Sequence, residues 1–170
     1  MSYPLEKEAT LSTAQNEHGG ARVRFPPPLV FLGFILAGVA LQYFVTPLRA
    51  HIPAAPRLAV GCLLGLGGIA LFVPAMRWFK RTGQHPRPWT PSPSLILEGP
   101  YRFSRNPIYI AMTAVQAGIG AALDNLWILG FSVTALVVVH YIAVRPEEAY
   151  LAEKFGAAYE KYRSAVRRYL

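Results

Sequence analysis

Hydrophobic positions along this chain gather into four blocks. Residues 29–45, 58–76, 108–123 and 126–144 contain no Asp, Glu, Lys or Arg. Their lengths, 17, 19, 16 and 19 residues, compare with about 20 apolar residues needed to cross a bilayer core as a helix. A globule of 170 residues has no use for four such helices, so the pattern predicts a polytopic, all-α membrane helix bundle. The expected spans are 29–45, 58–79, 106–123 and 126–144 within a single membrane domain, 25–170. The last two spans are separated only by Asp124 and Asn125, which predicts a tight hairpin with either residue able to cap the returning helix.

After the fourth block the pattern changes. Leu151, Phe155, Tyr159, Tyr162, Val166 and Tyr169 recur at helical spacing. This predicts one amphipathic helix, 146–169, lying at the interface, with Lys154, Lys161, Arg163, Arg167 and Arg168 among its polar residues. Residues 1–24 are polar and mixed in charge, without an apolar core of their own. They read as a disordered tail rather than a signal peptide, closed by Pro26-Pro27-Pro28. Small residues suggest helix packing in the first two spans, Gly33 with Ala37 and Gly61 with Gly65. Pro74 is expected to kink the second.

Composition sharpens the picture. Charged residues make up only 15%, against about 25% in ordinary soluble chains. The formal net charge is +8, yet its placement speaks for topology. Of 17 Lys and Arg, only Arg49 and Arg57 lie between the first two spans, and none between the last two. The positive-inside rule then puts both termini and the loop 80–105 in the cytoplasm. No nucleic-acid reader motif accompanies the charge, so no nucleic-acid partner is expected. A single cysteine, Cys62, excludes an intramolecular disulfide. His18, His51, His85 and His140 lack ligand spacing, so no metal site is expected.

The candidate chemistry lies at two expected helix starts on the cytoplasmic side. Asn106 suits an N-cap and Pro107 a first helical position, with Arg102 and Arg105 nearby to favour an anionic group. In Arg145-Pro146-Glu147-Glu148 a proline again precedes two acids, which suit a helix dipole and a cation or ribose hydroxyls. S-adenosylmethionine, with its carboxylate, ammonium, ribose and sulfonium, matches that inventory. His140, an ionisable residue inside a span, is a further candidate. Gly118-Ile119-Gly120 follows no strand and completes no nucleotide-binding pattern.

Segment 99–109, Gly-Pro-Tyr-Arg-Phe-Ser-Arg-Asn-Pro-Ile-Tyr, resembles the GPYR…RHPxYxG signature of the isoprenylcysteine carboxyl methyltransferase family. Glu147-Glu148-Ala149-Tyr150-Leu151 resembles its EExxL, and Phe155-Gly156 with Tyr159, Tyr162 and Val166 its FGxxYxxYxxxV. The phospholipid N-methyltransferases share the same cofactor half, and the resemblance covers residues 83–170. It implies a membrane enzyme transferring a methyl group from S-adenosylmethionine to a lipophilic acceptor, either an isoprenoid or prenylcysteine carboxylate or a related lipid. Phospholipid N-methylation is the alternative. The implied cofactor contacts are Pro93, Ser94, Leu95, Ile96, Tyr101, Arg105, Asn106, Pro107, Ile108, Tyr109, Glu147 and Glu148. Arg145 is the implied substrate-binding arginine, and His140 or Glu148 would serve as base for an amine acceptor. Asn106 stands where the family has histidine, and Ala111 where it has glycine. Two readings from other classes stand beside this one: an NADPH-dependent sterol-type reductase relative and a non-catalytic four-span membrane protein. The acceptor's identity and the oligomeric state are left open by the sequence.

Overall fold

A computed structural model describes residues 21, 23, 25–83 and 90–169. Among them every regular element is helical. Helix α1, Pro27–Ala40, runs into a π-helical turn, Leu41–Val45; α2 is Ala54–Arg81 and α3 is Pro107–Ala122. Helix α4, Leu126–Val139, continues through a second π turn, His140–Val144, into α5, Arg145–Phe155, and α6 is Ala157–Ala165. Among the described residues three continuous stretches are long and apolar enough to cross a membrane: Pro27–Val45, Ala54–Arg81 and Leu126–Phe155. Helix α3 is also apolar but only 16 residues long, about 24 Å at 1.5 Å per residue.

Small residues set the helix spacing. Helix α2 packs chiefly on α3, while α1 packs chiefly on α4. A Cβ on Gly118 would come within 2.8 Å of the Gly61 carbonyl oxygen, and one on Gly68 within 2.8 Å of the Ala111 oxygen. The backbones therefore touch, as small-residue stripes permit in apolar surroundings. Gly120 meets α4 in the same way, at 2.6 Å from the Leu129 nitrogen, so the Gly118-Ile119-Gly120 pair serves packing. Gly33 has open space around it; the expected small-residue contact of α1 is made by Gly38, against Ile128.

Polar side chains fasten the end remote from the C-terminal helices. Asn125 caps α4, accepting from the Ile128 N–H at 3.0 Å, and donates to the Gly38 carbonyl at 3.1 Å. One side chain thus ties α1 to the start of α4. Arg57 lies inside α2 and donates to the Ala122 carbonyl at the end of α3, satisfying an orphan acceptor.

Four expectations need correction. Helix α2 begins at Ala54 and runs through Pro74 to Arg81, longer at both ends than 58–79. The C-terminal helix expected over 146–169 is divided: Gly156, at φ 48°, separates α5 from α6, and residues 166–169 are not helical. Arg145-Pro146 is no fresh helix start, because Val144 and Arg145 are themselves helical and the Arg145 N–H reaches back to the His140 carbonyl. The π turn widens the helix just before Pro146, where an ordinary helix would meet a missing donor and a ring clash. Finally, most of the tail 1–24 lies outside the described residues, but Ala21 and Val23 are buried with Phe31, Tyr109, Val139 and Val144. Both are small and apolar, and they find an apolar surface to cover.

Candidate active site

The fold brings the beginnings of α1 and α3 together with the ends of α2 and the α4–α5 rod. Where they meet lies a cavity of about 380 Å³. One wall is apolar: Pro26, Pro27 and Pro28 from the α1 entrance, Phe72, Met76 and Phe79 from α2, and Met112 from α3. The other is polar, made by Tyr101, Arg105, Asn106, Tyr109 and Glu147, with Pro107 and Ile108 between.

Tyr101 is placed by the 3-10 turn Gly99–Arg102. Gly99 has φ 60°, and a Cβ there would collide with the Trp78 indole. Only glycine satisfies both demands. The turn therefore lies flat on α2, and the Tyr101 ring meets Phe79 edge-on at 5.8 Å. The Tyr101 carbonyl accepts from the Tyr162 hydroxyl at 2.7 Å, which docks α6 beneath it. Tyr101 is 7% exposed, and its hydroxyl has no hydrogen-bond partner among the described residues. Burial pushes this phenol far above its usual pKa, so it remains a donor. An unmet buried donor costs about 1–3 kcal/mol, and in a cavity wall it marks a place for a ligand's acceptor atom.

Arg105 presents a second unmet donor. Its Nη1 forms an ion pair with Glu148 at 3.0 Å and donates to the Tyr159 hydroxyl at 3.1 Å, yet its buried Nε–H is unpartnered. Glu148 is held in turn by Arg168, whose Nε lies 3.0 Å from Oε1 and whose Nη2 lies 2.8 Å from Oε2. The two acids that adjoin in sequence thus part company. Glu148 is consumed by two guanidiniums, and Glu147 faces the cavity, where Tyr109 is its neighbour in the wall.

Asn106 occupies the N-cap position of α3 but its side chain does not cap the helix. Its Nδ2 donates instead to the Arg168 carbonyl at 3.1 Å, while the Ser104 Oγ accepts from the Asn106 N–H at 3.1 Å. Pro107 does stand at the first helical position, as its fixed φ favours.

Seven of the residues singled out from the sequence line the cavity: Tyr101, Arg105, Asn106, Pro107, Ile108, Tyr109 and Glu147. The others stand apart from its walls. Segment 93–96 runs along the surface, with Pro93 and Ser94 exposed and Leu95 and Ile96 half-buried. It is tethered nearby where the Ser92 N–H donates to the Tyr150 hydroxyl at 3.2 Å. Arg145 is exposed and rests over the Tyr141 ring at 5.7 Å. His140 Nδ1 lies 3.0 Å from the Tyr169 hydroxyl. Sequence reasoning missed the apolar wall and the part played by Arg168. The wall residues are apolar among apolar neighbours, and Arg168 lies twenty residues from the acid it grips. No local signal distinguishes either.

A search of curated proteins finds no match to the chain. A comparison with protein families matches residues 56–158 to the phospholipid methyltransferases. That span begins in α2, contains the loop, α3, α4 and the paired acids, and ends in α6; it includes most of the cavity wall. The chain belongs to the phospholipid methyltransferase family.

Proposed function

We propose that this protein transfers a methyl group from S-adenosylmethionine to the amine of a membrane lipid, at the cytoplasmic end of its helix bundle. The observation that carries the proposal is the composition of the cavity: two unmet donors, Tyr101 Oη and Arg105 Nε, and one carboxylate, Glu147, beside an apolar wall. The donors suit the cofactor's carboxylate and Glu147 suits positive charge, so the residues present fit the group. When bound, S-adenosylmethionine supplies a methyl already activated on sulfur.

The protein's part is alignment and exclusion of water. Fixing nucleophile and methyl in line can supply up to roughly 7–11 kcal/mol of the barrier. Phe72, Met76, Phe79 and Met112 keep that side of the cavity dry and offer a surface to a lipid chain. Because α1 rests chiefly on α4 and α2 on α3, the acceptor has a lateral path between α1 and α2. Glu147 also favours an amine over an anionic acceptor, since a second carboxylate or a thiolate beside it would be repelled. An ammonium must lose a proton before it attacks, and Glu147 is the carboxylate in the cavity wall able to accept it. Neither Glu148, held by two arginines, nor His140, outside the wall, is as well placed.

In this account α3 is a fourth, short crossing, paired with α4 as an antiparallel hairpin, and α5 and α6 lie at the cytoplasmic interface. The test is methyl transfer from labelled S-adenosylmethionine by the purified protein in vesicles of defined lipid. Label should pass to an aminophospholipid and not to a prenylcysteine. Binding of NADPH in place of S-adenosylhomocysteine would refute the assignment in favour of a reductase.

A further inference from the structure

The last described residues, 166–169, lie beyond the family match, which ends at residue 158. They are not helical, yet several hydrogen bonds hold them. The Arg167 carbonyl accepts from the Arg105 N–H at 3.0 Å. The Arg168 carbonyl accepts from Ser104 Oγ at 3.2 Å and from Asn106 Nδ2 at 3.1 Å. The Arg168 guanidinium grips both oxygens of Glu148, and the Tyr169 hydroxyl meets His140. Apart from His140, these partners lie on the two segments that carry the candidate site, residues 101–109 and the paired acids.

We infer that this tail is the positioning element of the site, with Arg168 acting through Glu148 to aim Arg105 at the cavity. Arg105 has a buried guanidinium with one N–H unpartnered. A long, flexible side chain holds such a pose only if its other nitrogens are fixed. Glu148 and Tyr159 fix Nη1. Glu148 is itself immobilised by a two-pronged contact from Arg168, the strongest geometry available to a carboxylate. The Arg105 N–H and the Ser104 and Asn106 side chains, each bonded to a tail carbonyl, fix the segment that bears Arg105. The amide of Asn106, standing where the resembling family has an imidazole, is what reaches the Arg168 carbonyl. Only 8% of the Arg105 side chain and 15% of Glu148 are exposed, so their contact is screened less than a surface pair, whereas Arg168, 39% exposed, is screened more.

This inference rests on the cofactor-site reading, and the test separates the two. S-adenosylhomocysteine is titrated into wild-type protein, Arg168→Ala, Arg168→Lys, Glu148→Gln and the double variant Arg168→Ala/Glu148→Gln. Alongside, hydrogen exchange is followed at residues 104–106 and methyl transfer is resolved into kcat and KM for S-adenosylmethionine. Arg168→Ala should weaken binding at least tenfold, raise KM more than it lowers kcat, and speed exchange at residues 104–106. Arg168→Lys should recover part of the loss, and the double variant should bind no worse than Glu148→Gln alone. Additive losses would overturn the inference, because Arg168 would then act independently of Glu148. Equal affinity and KM in Arg168→Ala would overturn it outright. If wild-type protein binds no S-adenosylhomocysteine, the cofactor reading fails by itself. The tail is then judged by exchange at residues 104–106, which must quicken in Arg168→Ala for the positioning role to stand. Should the variants not fold, wild-type exchange decides: residues 104–106 and 166–169 must slow together on adding S-adenosylhomocysteine, and slowing of one segment alone contradicts the inference.

Discussion

Tyr109, on α3, and Glu147, on α5, stand together in the polar wall of one cavity, close enough for hydroxyl and carboxyl to influence each other. This juxtaposition joins the two halves of the methyltransferase signature across one cavity wall. The π turn at His140–Val144 makes it possible. An extra residue in that turn changes the direction in which everything after it projects, and Pro146 follows without breaking the rod. Glu147 consequently points toward α3 and its neighbour Glu148 toward the arginines.

The two acids should therefore differ sharply on neutralisation. In Glu148→Gln the Arg105 guanidinium, only 8% exposed, loses its counter-charge. Breaking a buried pair from one side costs about 3–5 kcal/mol. The melting temperature in detergent should fall clearly, and ligand affinity should fall with it. A stability equal to wild type would show that Arg105 and Glu148 do not depend on each other.

Tyr101→Phe isolates the unmet hydroxyl. Nothing in the ligand-free protein bonds to it among the described residues, so stability should hold or rise slightly. Affinity for S-adenosylhomocysteine should drop by a charged hydrogen bond, about 1.5–3 kcal/mol, or roughly ten- to a hundred-fold. Isothermal titration of the variant beside wild type checks both halves of this expectation.

Alkaline conditions should loosen the same region. Burial, first among the causes, raises the phenols of Tyr101, Tyr159, Tyr162 and Tyr169 above their ordinary value of 10.0. A folded state that holds its protons more tightly than the unfolded one is favoured fully below the unfolded pKa. That advantage is lost as pH rises beyond about 10. Melting temperature should be flat with respect to these groups from pH 7 to 9 and decline above pH 10. Replacing Tyr162 with Phe should reduce the decline.

Topology is open to cysteine labelling in a Cys62→Ser background. Ala54→Cys, at the start of α2, should react with impermeant reagent from outside the cell. Ser92→Cys, tethered near Tyr150, should react only after the membrane is opened. The opposite pattern would place the cavity on the side away from the cytoplasmic cofactor.

Much of this architecture was legible in the residues themselves. Charge-free runs mark the apolar helices because burying charge in lipid is costly. Asn125 reads as a cap because its short amide can reach the returning backbone, and it does. Pro107 reads as a helix start for a similarly local reason. What escaped was set by conformation or distance. Arg-Pro-Glu-Glu has the look of a helix start, and only the backbone reveals an unbroken rod through a π turn. A lone glycine inside a periodic pattern does not announce a break, yet Gly156 makes one. Arg168 looked like one more solvated charge, because its partner lies across a turn of chain that periodicity does not describe. The cavity's apolar wall is chemically identical to a lipid-facing surface, and only packing distinguishes them.

If Glu147 and its surroundings form a cofactor and methyl-transfer site, Glu147→Gln will disable both binding and transfer. The substitution keeps the shape beside Tyr109, so the protein should fold and melt near the wild-type temperature. Loss of a charged hydrogen bond should weaken S-adenosylhomocysteine by about 1.5–3 kcal/mol. Loss of the proton acceptor should slow methyl transfer to lipid amine by about 10²–10⁴-fold. Titration and transfer rate are measured together on one preparation. Unchanged affinity and unchanged rate would contradict the account and leave the paired acids with a purely structural role.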